Sequence, residues 1–403
     1  MKYVVLQGDG MADEPIAELG GKTPLEHART PNLDQMAARG ILGLTRTIPR
    51  GLPPGSDVGT MSVLGYDPAR YHTGRSPIEA ASMGVELGPD DVAFRCNLVT
   101  LETLEGGSEI MRDFAGGHPP TEEAAEIVRD VQRALGRDGL EFHPGVSYRH
   151  LLVWRGGESR MRTTPPPDLS DQPVTGQFPD GPGADVLRDL MERSRRLLAE
   201  HPVCQARSAR GERAPTSIWL WGQGKRPRVP TLRERFGVEG SVIAAVDLVN
   251  GLGVLAGLER IAVPGATGFL DTNFRGKAEY GLRALEARDF LFLHVEAPDE
   301  GGHMGDAQKK VEAIENVDEK VVGPLLEGLR AAGGAWRMLV MPDHPTPCAL
   351  KTHTAEPVPF VVYVSSDDQK PRGLSRGYNE RDAREQGIFI PEAHTLMQRL
   401  VRH

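Results

Sequence analysis

The sequence predicts an α/β protein built on a mainly parallel sheet and interrupted by an inserted α+β block. Three observations carry this. Short, mostly apolar runs recur at Tyr3–Leu6, Val242–Val246, Phe290–Val295 and Arg337–Met341. They alternate with stretches of helical spacing, the pattern of strands buried on both faces. Three of the runs lead within a few residues to Asp9, Asp299 and Asp343, and open α/β sheets place their ligands outside the carboxyl ends of strands. Finally, the texture changes near Asp91 and the alternation returns near Phe236. That divides the chain into a discontinuous core, residues 1–90 and 236–403, around an inserted domain of residues 91–235.

Taken in order, Tyr3–Leu6 is a strand that runs into Gly8-Asp9-Gly10, glycines that let backbone approach a ligand. Thr30-Pro31-Asn32-Leu33-Asp34 opens a helix with Leu33, Met36 and Ala37 at helical spacing. Pro53-Pro54-Gly55-Ser56 leads into a further helix. Ser56 at its mouth reads either as an N-cap or as a hydroxyl facing the positive end of the helix, which suits phosphate. Ser62 is a second candidate inside that helix. In the insert, Phe94–Thr100, Leu151–Trp154 and Ser217–Trp221 read as strands, Thr121–Leu135 and Asp185–Glu200 as helices, and Arg162–Pro182 as loop. After the insert come a strand over Val242–Val246, a helix over Leu248–Gly257 and a polar loop over Gly268–Lys277. A helix over Ala278–Leu285, the strand Phe290–Val295 and one long helix over Ala307–Ala332 follow. The strands Arg337–Met341 and Val358–Val364 end the sheet.

The 403 residues carry a net charge of −9, with 39% hydrophobic and 26% charged side chains. This is an ordinary globular composition. The acidic balance argues against nucleic acid or an anionic membrane as partner. No run approaches a membrane span. Three widely spaced cysteines, Cys96, Cys204 and Cys348, and the lack of a signal-type apolar region point to the cytoplasm.

Metal-type donors gather at three strand ends: Asp9, then Asp299 with His303, then Asp343 with His344. His353 follows in the last loop. An isolated Asp-His pair also reads as a surface turn, but three such ends on one sheet edge make a ligand site. Mixed carboxylate and imidazole donors suit Mn, Mg, Zn or Co. Six protein donors exceed what one catalytic ion takes, so two ions are expected. Two ions stabilise the attacking and leaving oxygens of a displacement at phosphorus, with a hydroxyl such as that of Ser56 as nucleophile.

The order Asp, Ser at a helix mouth, Asp-x-x-x-His, Asp-His, His resembles the alkaline phosphatase superfamily. More closely it resembles cofactor-independent phosphoglycerate mutases of the archaeal type. The matching stretches are Gly8–Asp13, Pro54–Gly59, Pro298–His303, Pro342-Asp343-His344 and His353–Phe360, with Trp221–Gly224 and Asp271–Lys277. The resemblance spans essentially the whole chain. It implies an alkaline-phosphatase-like three-layer core with a clamping insert. It also implies two divalent ions, Mn or Mg foremost, and no bisphosphoglycerate. One ion would be held by Asp299, His303 and His353, the other by Asp9, Ser56, Asp343 and His344. Ser56 would carry the phosphoryl group between 3- and 2-phosphoglycerate, and Lys277 would stabilise charge near it. Arg95 and Arg149 are the substrate-clamp candidates, and His118 and Asp168 the acid/base candidates of the insert. A cofactor-dependent mutase needs an Arg-His-Gly motif, whereas Arg149-His150 is followed by Leu151 inside an apolar run. A metal-dependent phosphatase or other phosphotransferase on the same core is the enzymatic alternative, and a metal-binding scaffold the non-enzymatic one.

Overall fold

The computed structural model describes residues 1–137, 139–369 and 377–402. The chain divides into two compact units, Met1–His72 with Arg228–His403, and Thr73–Pro227. In chain order the strands are β1 (Lys2–Gly8), β2 (Ile41–Thr45), β3 (Val92–Thr103), β4 (Glu109–Asp113), β5 (Leu140–His143), β6 (Arg149–Trp154), β7 (Ser217–Lys225), β8 (Gly240–Ile243), β9 (Glu259–Arg260), β10 (Phe290–Val295), β11 (Trp336–Met341), β12 (Val358–Val364) and β13 (Phe389–Ile390).

The first unit is organised by a sheet in the order β13-β2-β12-β11-β1-β10-β8-β9. Only β12 runs against the others among these strands. Alternation along β1 sends Val4 and Leu6 into a core shared with Leu33, Ala278, Leu285 and Ile314. The intervening Gln7 reaches the opposite layer, where Nε2 donates to Thr60 Oγ1 at 2.8 Å. Helices thus cover both faces of a buried sheet, the three-layer α/β architecture in which strands read as continuous apolar runs.

The second unit holds five antiparallel strands, with β3 pairing β4, β6 and β7, and β5 pairing β6. Helices Thr121–Leu135 and Ala184–Glu200 bury Ile127, Val128, Leu187 and Leu190 against it. The unit begins at Thr73 rather than at residue 91, because helix Ser76–Ser82 places Ala80 against Ala93, Leu151 and Val153. It ends at Pro227 rather than 235. The following helix belongs to the first unit, where Arg235 lies over the Tyr66 ring and the Tyr66 hydroxyl donates to Pro230 O.

Two helical expectations shift for local reasons. The stretch 307–332 is helical throughout, as expected, but a π-helical turn over Asp318–Val322 interrupts the α-geometry between Ala307–Val317 and Gly323–Ala332. That turn carries Asp318, whose carboxylate accepts from the Leu33 N–H at 2.7 Å and the Asn32 N–H at 3.2 Å, so it caps helix Pro31–Arg39 from outside. The loop expected through Lys277 ends earlier, because the Asn273 side chain accepts from the Gly276 N–H and starts helix Phe274–Ala287. Lys277 therefore sits in a helical first turn and is fully buried.

One buried acid gives the first unit a pH signature. Glu380 accepts from the Asp13 N–H at 3.1 Å and from Thr23 Oγ1 at 2.7 Å, and burial pushes its carboxyl up to about 7. A raised acid favours the fold while protonated, so its contribution is complete below the ordinary Glu range and is lost as pH rises towards 7. The loss is on the order of 3 kcal/mol. Glu380→Gln is expected to gain stability over the parent at pH 8 but not at pH 4.5, measured by urea unfolding. Equal differences at both pH values would refute the assignment. No described helix is long and apolar enough to cross a membrane.

Candidate metal centre

The three central strands create the site. β11, β1 and β10 lie side by side and parallel, so their carboxyl ends open on one edge. β1 delivers Asp9, and β11 delivers Asp343 and His344. Beyond β10, helix Ala297–Met304 places Asp299 and His303 one turn apart on one face. His353 returns from the loop after β11.

Two donor groups result. His303 Nε2 lies 3.0 Å from Asp299 Oδ2 and 2.9 Å from His353 Nε2, and His353 Nε2 lies 3.5 Å from Asp299 Oδ1. His344 Nε2 lies 3.2 Å from Asp343 Oδ2 and 3.7 Å from Asp9 Oδ1. The His344 and His353 rings stack at 3.9 Å and join the groups. Two glycines make the closeness possible. Gly10 has φ +58°, and a Cβ on it would come within 2.5 Å of Asp299 Oδ1. A Cβ on Gly59 would meet the Asp343 carbonyl oxygen at 2.6 Å, so helix Ser56–Val63 can seat against the second group.

That seating removes the N-cap reading of Ser56. The N-cap is Gly55, and the Ser56 side chain makes no capping bond. Ser56 is instead the first residue inside the helix, and its Oγ lies 3.2 Å from His344 Nε2. Ser62 is buried, with its hydroxyl given to the Thr47 carbonyl.

Electrostatics show what the cluster lacks internally. Burial and the carboxylates of Asp343, Glu296 and Asp299 hold the Asp9 carboxyl far above its usual range. Burial pushes Asp299 the same way, but its hydrogen bonds to His303 and His353 outweigh that and hold it well below. The bond to Asp299 raises His303 to about 9, while burial depresses His344. Asp9 Oδ1, Asp343 Oδ2 and Glu296 Oε2 are buried without a hydrogen-bond partner. Unpaired carboxylate oxygens converging with imidazole nitrogens are the donor set of a divalent cation, so the residues fit such an ion.

Sequence reasoning missed a third group, Asp9 with His294 and Glu296. His294 Nε2 lies 2.7 Å from Asp9 Oδ2 and 3.4 Å from Glu296 Oε2. Burial and the Lys277 charge hold His294 down at about 3, so a neutral imidazole shares a hydrogen bond with the Asp9 side chain. The available signal was a lone His in the Phe290–Val295 run with Glu296 directly after it. Thr346, whose hydroxyl bonds Asp299 Oδ1 and lies 3.2 Å from His344 Nδ1, gave no such signal. Lys277 Nζ donates to the His294 carbonyl at 3.1 Å, and burial lowers it to about 8 against the pull of Glu296. No described hydrogen bond joins it to Ser56.

The second unit has its own anion-type cluster. Arg95 is buried, lies over the Trp221 ring at 4.5 Å and pairs with Glu79 at 3.3 Å. Burial and its neighbours Arg75 and Arg149 lower it to about 10, and its Nε has no partner. Arg149 is exposed and lies over Tyr148, and His118 meets the same ring edge-on at 5.4 Å. Asp168 sits exposed on a short turn against β4, outside these contacts.

Comparison with known proteins places this arrangement. The family model described as 2,3-bisphosphoglycerate-independent phosphoglycerate mutase matches residues 37–204. A Geobacter sulfurreducens protein named as a probable enzyme of this kind is 52% identical over 401 residues, covering 100% of both chains. The Methanothrix thermoacetophila enzyme of that name is 48% identical, again over 100% of both. Among solved structures, the PH0037 protein of Pyrococcus horikoshii is similar with TM-score 0.81 and 29% identity, covering 100% of this chain and 96% of that one. The cofactor-independent phosphoglycerate mutase of Thermoplasma acidophilum is similar with TM-score 0.67 and 26% identity, covering 100% and 99%. Full-length identity of this order shows that the chain belongs to the 2,3-bisphosphoglycerate-independent phosphoglycerate mutase family.

Proposed function

We propose that this chain interconverts 3-phosphoglycerate and 2-phosphoglycerate through a phosphoserine at Ser56, with no bisphosphoglycerate. The observation that carries this reading is Ser56 Oγ at a helix N-terminus, 3.2 Å from His344 where the two donor groups meet. Asp299, His303 and His353 would hold one divalent cation, and Asp9, Ser56, Asp343 and His344 the other. Mn or Mg comes first, and Zn or Co also suits the donors. Such cations supply Lewis-acid activation of a hydroxyl and neutralise charge on phosphoryl oxygens.

The chain's own residues account for the rest. Ser56 Oγ attacks phosphorus as the bond to the substrate 3-oxygen breaks, and the proton lost from Oγ ends on that oxygen. The bound glycerate then attacks the phosphoserine through its 2-hydroxyl, and Ser56 regains its proton. The first-turn N–H groups of helix Ser56–Val63 face the transferred phosphoryl group. Lys277, buried behind Glu296, supplies a fixed positive charge to the carboxylate-rich floor. Arg95 and Arg149 suit the substrate carboxylate, with Arg75 as a third member of that cluster. His118 is kept as the acid/base candidate on its contact with Tyr148, and Asp168 is the weaker one. A cytoplasmic setting fits three buried, unpaired cysteines.

A phosphatase on the same core is the rival, since water in place of glycerate would hydrolyse the phosphoserine. Phosphorus NMR of Mn-loaded protein with 3-phosphoglycerate separates them. The 2-phosphoglycerate signal is expected to appear without added bisphosphoglycerate. Inorganic phosphate as the sole product would sink the mutase reading and keep the phosphoserine.

A further inference from the structure

Behind the site a single ammonium ties together the segments that carry its donors. Lys310, in helix Ala307–Val317, is fully buried. Its three donors are all used, to the Ala12 carbonyl at 3.0 Å, the Thr346 carbonyl at 2.8 Å and Asp13 Oδ2 at 2.8 Å. Ala12 and Asp13 lie three and four residues beyond Asp9. Thr346 lies two beyond His344, and its hydroxyl bonds Asp299. Asp13 Oδ2 also accepts from the Cys348 N–H at 3.1 Å, and the Thr346 N–H donates to Ala12 O at 3.2 Å. The loops after β1 and β11 are therefore cross-braced by one charge. The helix that holds it directly follows the one bearing Asp299 and His303.

A buried ion pair is weak evidence for stability alone, because desolvation consumes most of its attraction. Its bonds to two main-chain carbonyls are directional, and they hold the loop backbones at a set separation. Those loops bring together carboxylates that repel one another. We infer that Lys310 is a positioning residue for the metal centre: it holds the Asp9 loop and the His344–His353 loop at the spacing that two divalent cations require. The inference rests on the metal reading given above.

The test is Mn binding by isothermal titration calorimetry, alongside circular dichroism of the metal-free proteins. Lys310→Met keeps the side chain's length and apolar stem but removes all three bonds. Lys310→Gln keeps part of them, and Lys309→Met on the exposed side of the same helix is the control. Lys310→Met is expected to bind Mn 10- to 100-fold more weakly than the parent, the range seen when groups that orient metal ligands are removed. Lys310→Gln should fall between the two, and Lys309→Met should match the parent. Mn affinity within twofold of the parent in either folded Lys310 variant overturns the inference. Loss of the fold in both variants also overturns it, making Lys310 a determinant of the fold. If the parent itself binds no Mn, the metal reading fails and the positioning role fails with it.

Discussion

Ser56→Ala is expected to lower mutase turnover by about 10⁴-fold or more, the scale of loss when a covalent nucleophile is removed from an intact site. The geometry leaves the helix and the carboxylate and imidazole donors in place, although Ser56 is also a proposed donor to one cation, so Mn content is measured in the variant alongside. The Ser56 side chain caps nothing, since Gly55 is the N-cap, so removing Oγ leaves helix Ser56–Val63 intact. The close packing of Gly59 on Asp343 is untouched, and the hydroxyl's described hydrogen bond to the donor set is to His344. Two readouts are expected to move together. Coupled-assay turnover should disappear, and the phosphoryl adduct seen by intact mass after acid quench of the parent with 3-phosphoglycerate should be absent. Activity within tenfold of the parent would remove Ser56 from the nucleophile role. Loss of turnover with the adduct still present would move the nucleophile to another side chain.

How much of this was legible without coordinates follows from which features are local. A strand buried on both faces must be apolar throughout, so an Asp just beyond it stands out. Asp9 and Asp343 are visible for that reason. Asp299 and His303 are visible because a helix puts residues four apart on one face. Pairing order is not local, yet three such ends in a mainly parallel sheet are bound to share an edge. The features that escaped are those in which burial hides chemistry. His294 sits within an apolar run, and its role depends on the 2.7 Å approach of Asp9 from the neighbouring strand. Lys310 looks like a surface lysine next to Lys309 in an amphipathic helix, and only the packing of two distant loops makes it internal. The unit boundary was misplaced for a related reason. Helix Ser76–Ser82 is continuous in sequence with the first unit, but its apolar face matches the second unit's sheet.

Chelation is expected to abolish turnover, by at least 10³-fold, with recovery on adding Mn. It is also expected to lower the thermal midpoint, because a ligand bound only by the folded state stabilises it by RT ln(1 + [L]/Kd), about 4 kcal/mol at 1,000 times Kd. The stoichiometry is the more discriminating number. Three donor groups converge: Asp299 with His344 and His353, Asp9 with Asp343 and His344, and Asp9 with His294 and Glu296, so Asp9 and His344 each belong to two. The group of Asp9, His294 and Glu296 already has compensation from the chain. The neutral His294 imidazole is hydrogen-bonded to Asp9, and Lys277 lies close enough to interact with both Glu296 and His294. A cation there would have to displace that hydrogen bond and lie near an ammonium, which outweighs the unbonded Glu296 Oε2, whereas Asp9 Oδ1 and Asp343 Oδ2 have no hydrogen bond to lose. Two equivalents of Mn per chain are therefore expected by calorimetry with metal analysis. Lys277→Met, which removes the competing charge, is expected to create a weak third. Three tight equivalents in the parent would mean that the His294–Asp9 bond gives way to metal. A single equivalent would leave one of the two donor groups as an internal hydrogen-bond network, and the two-ion mechanism would fall.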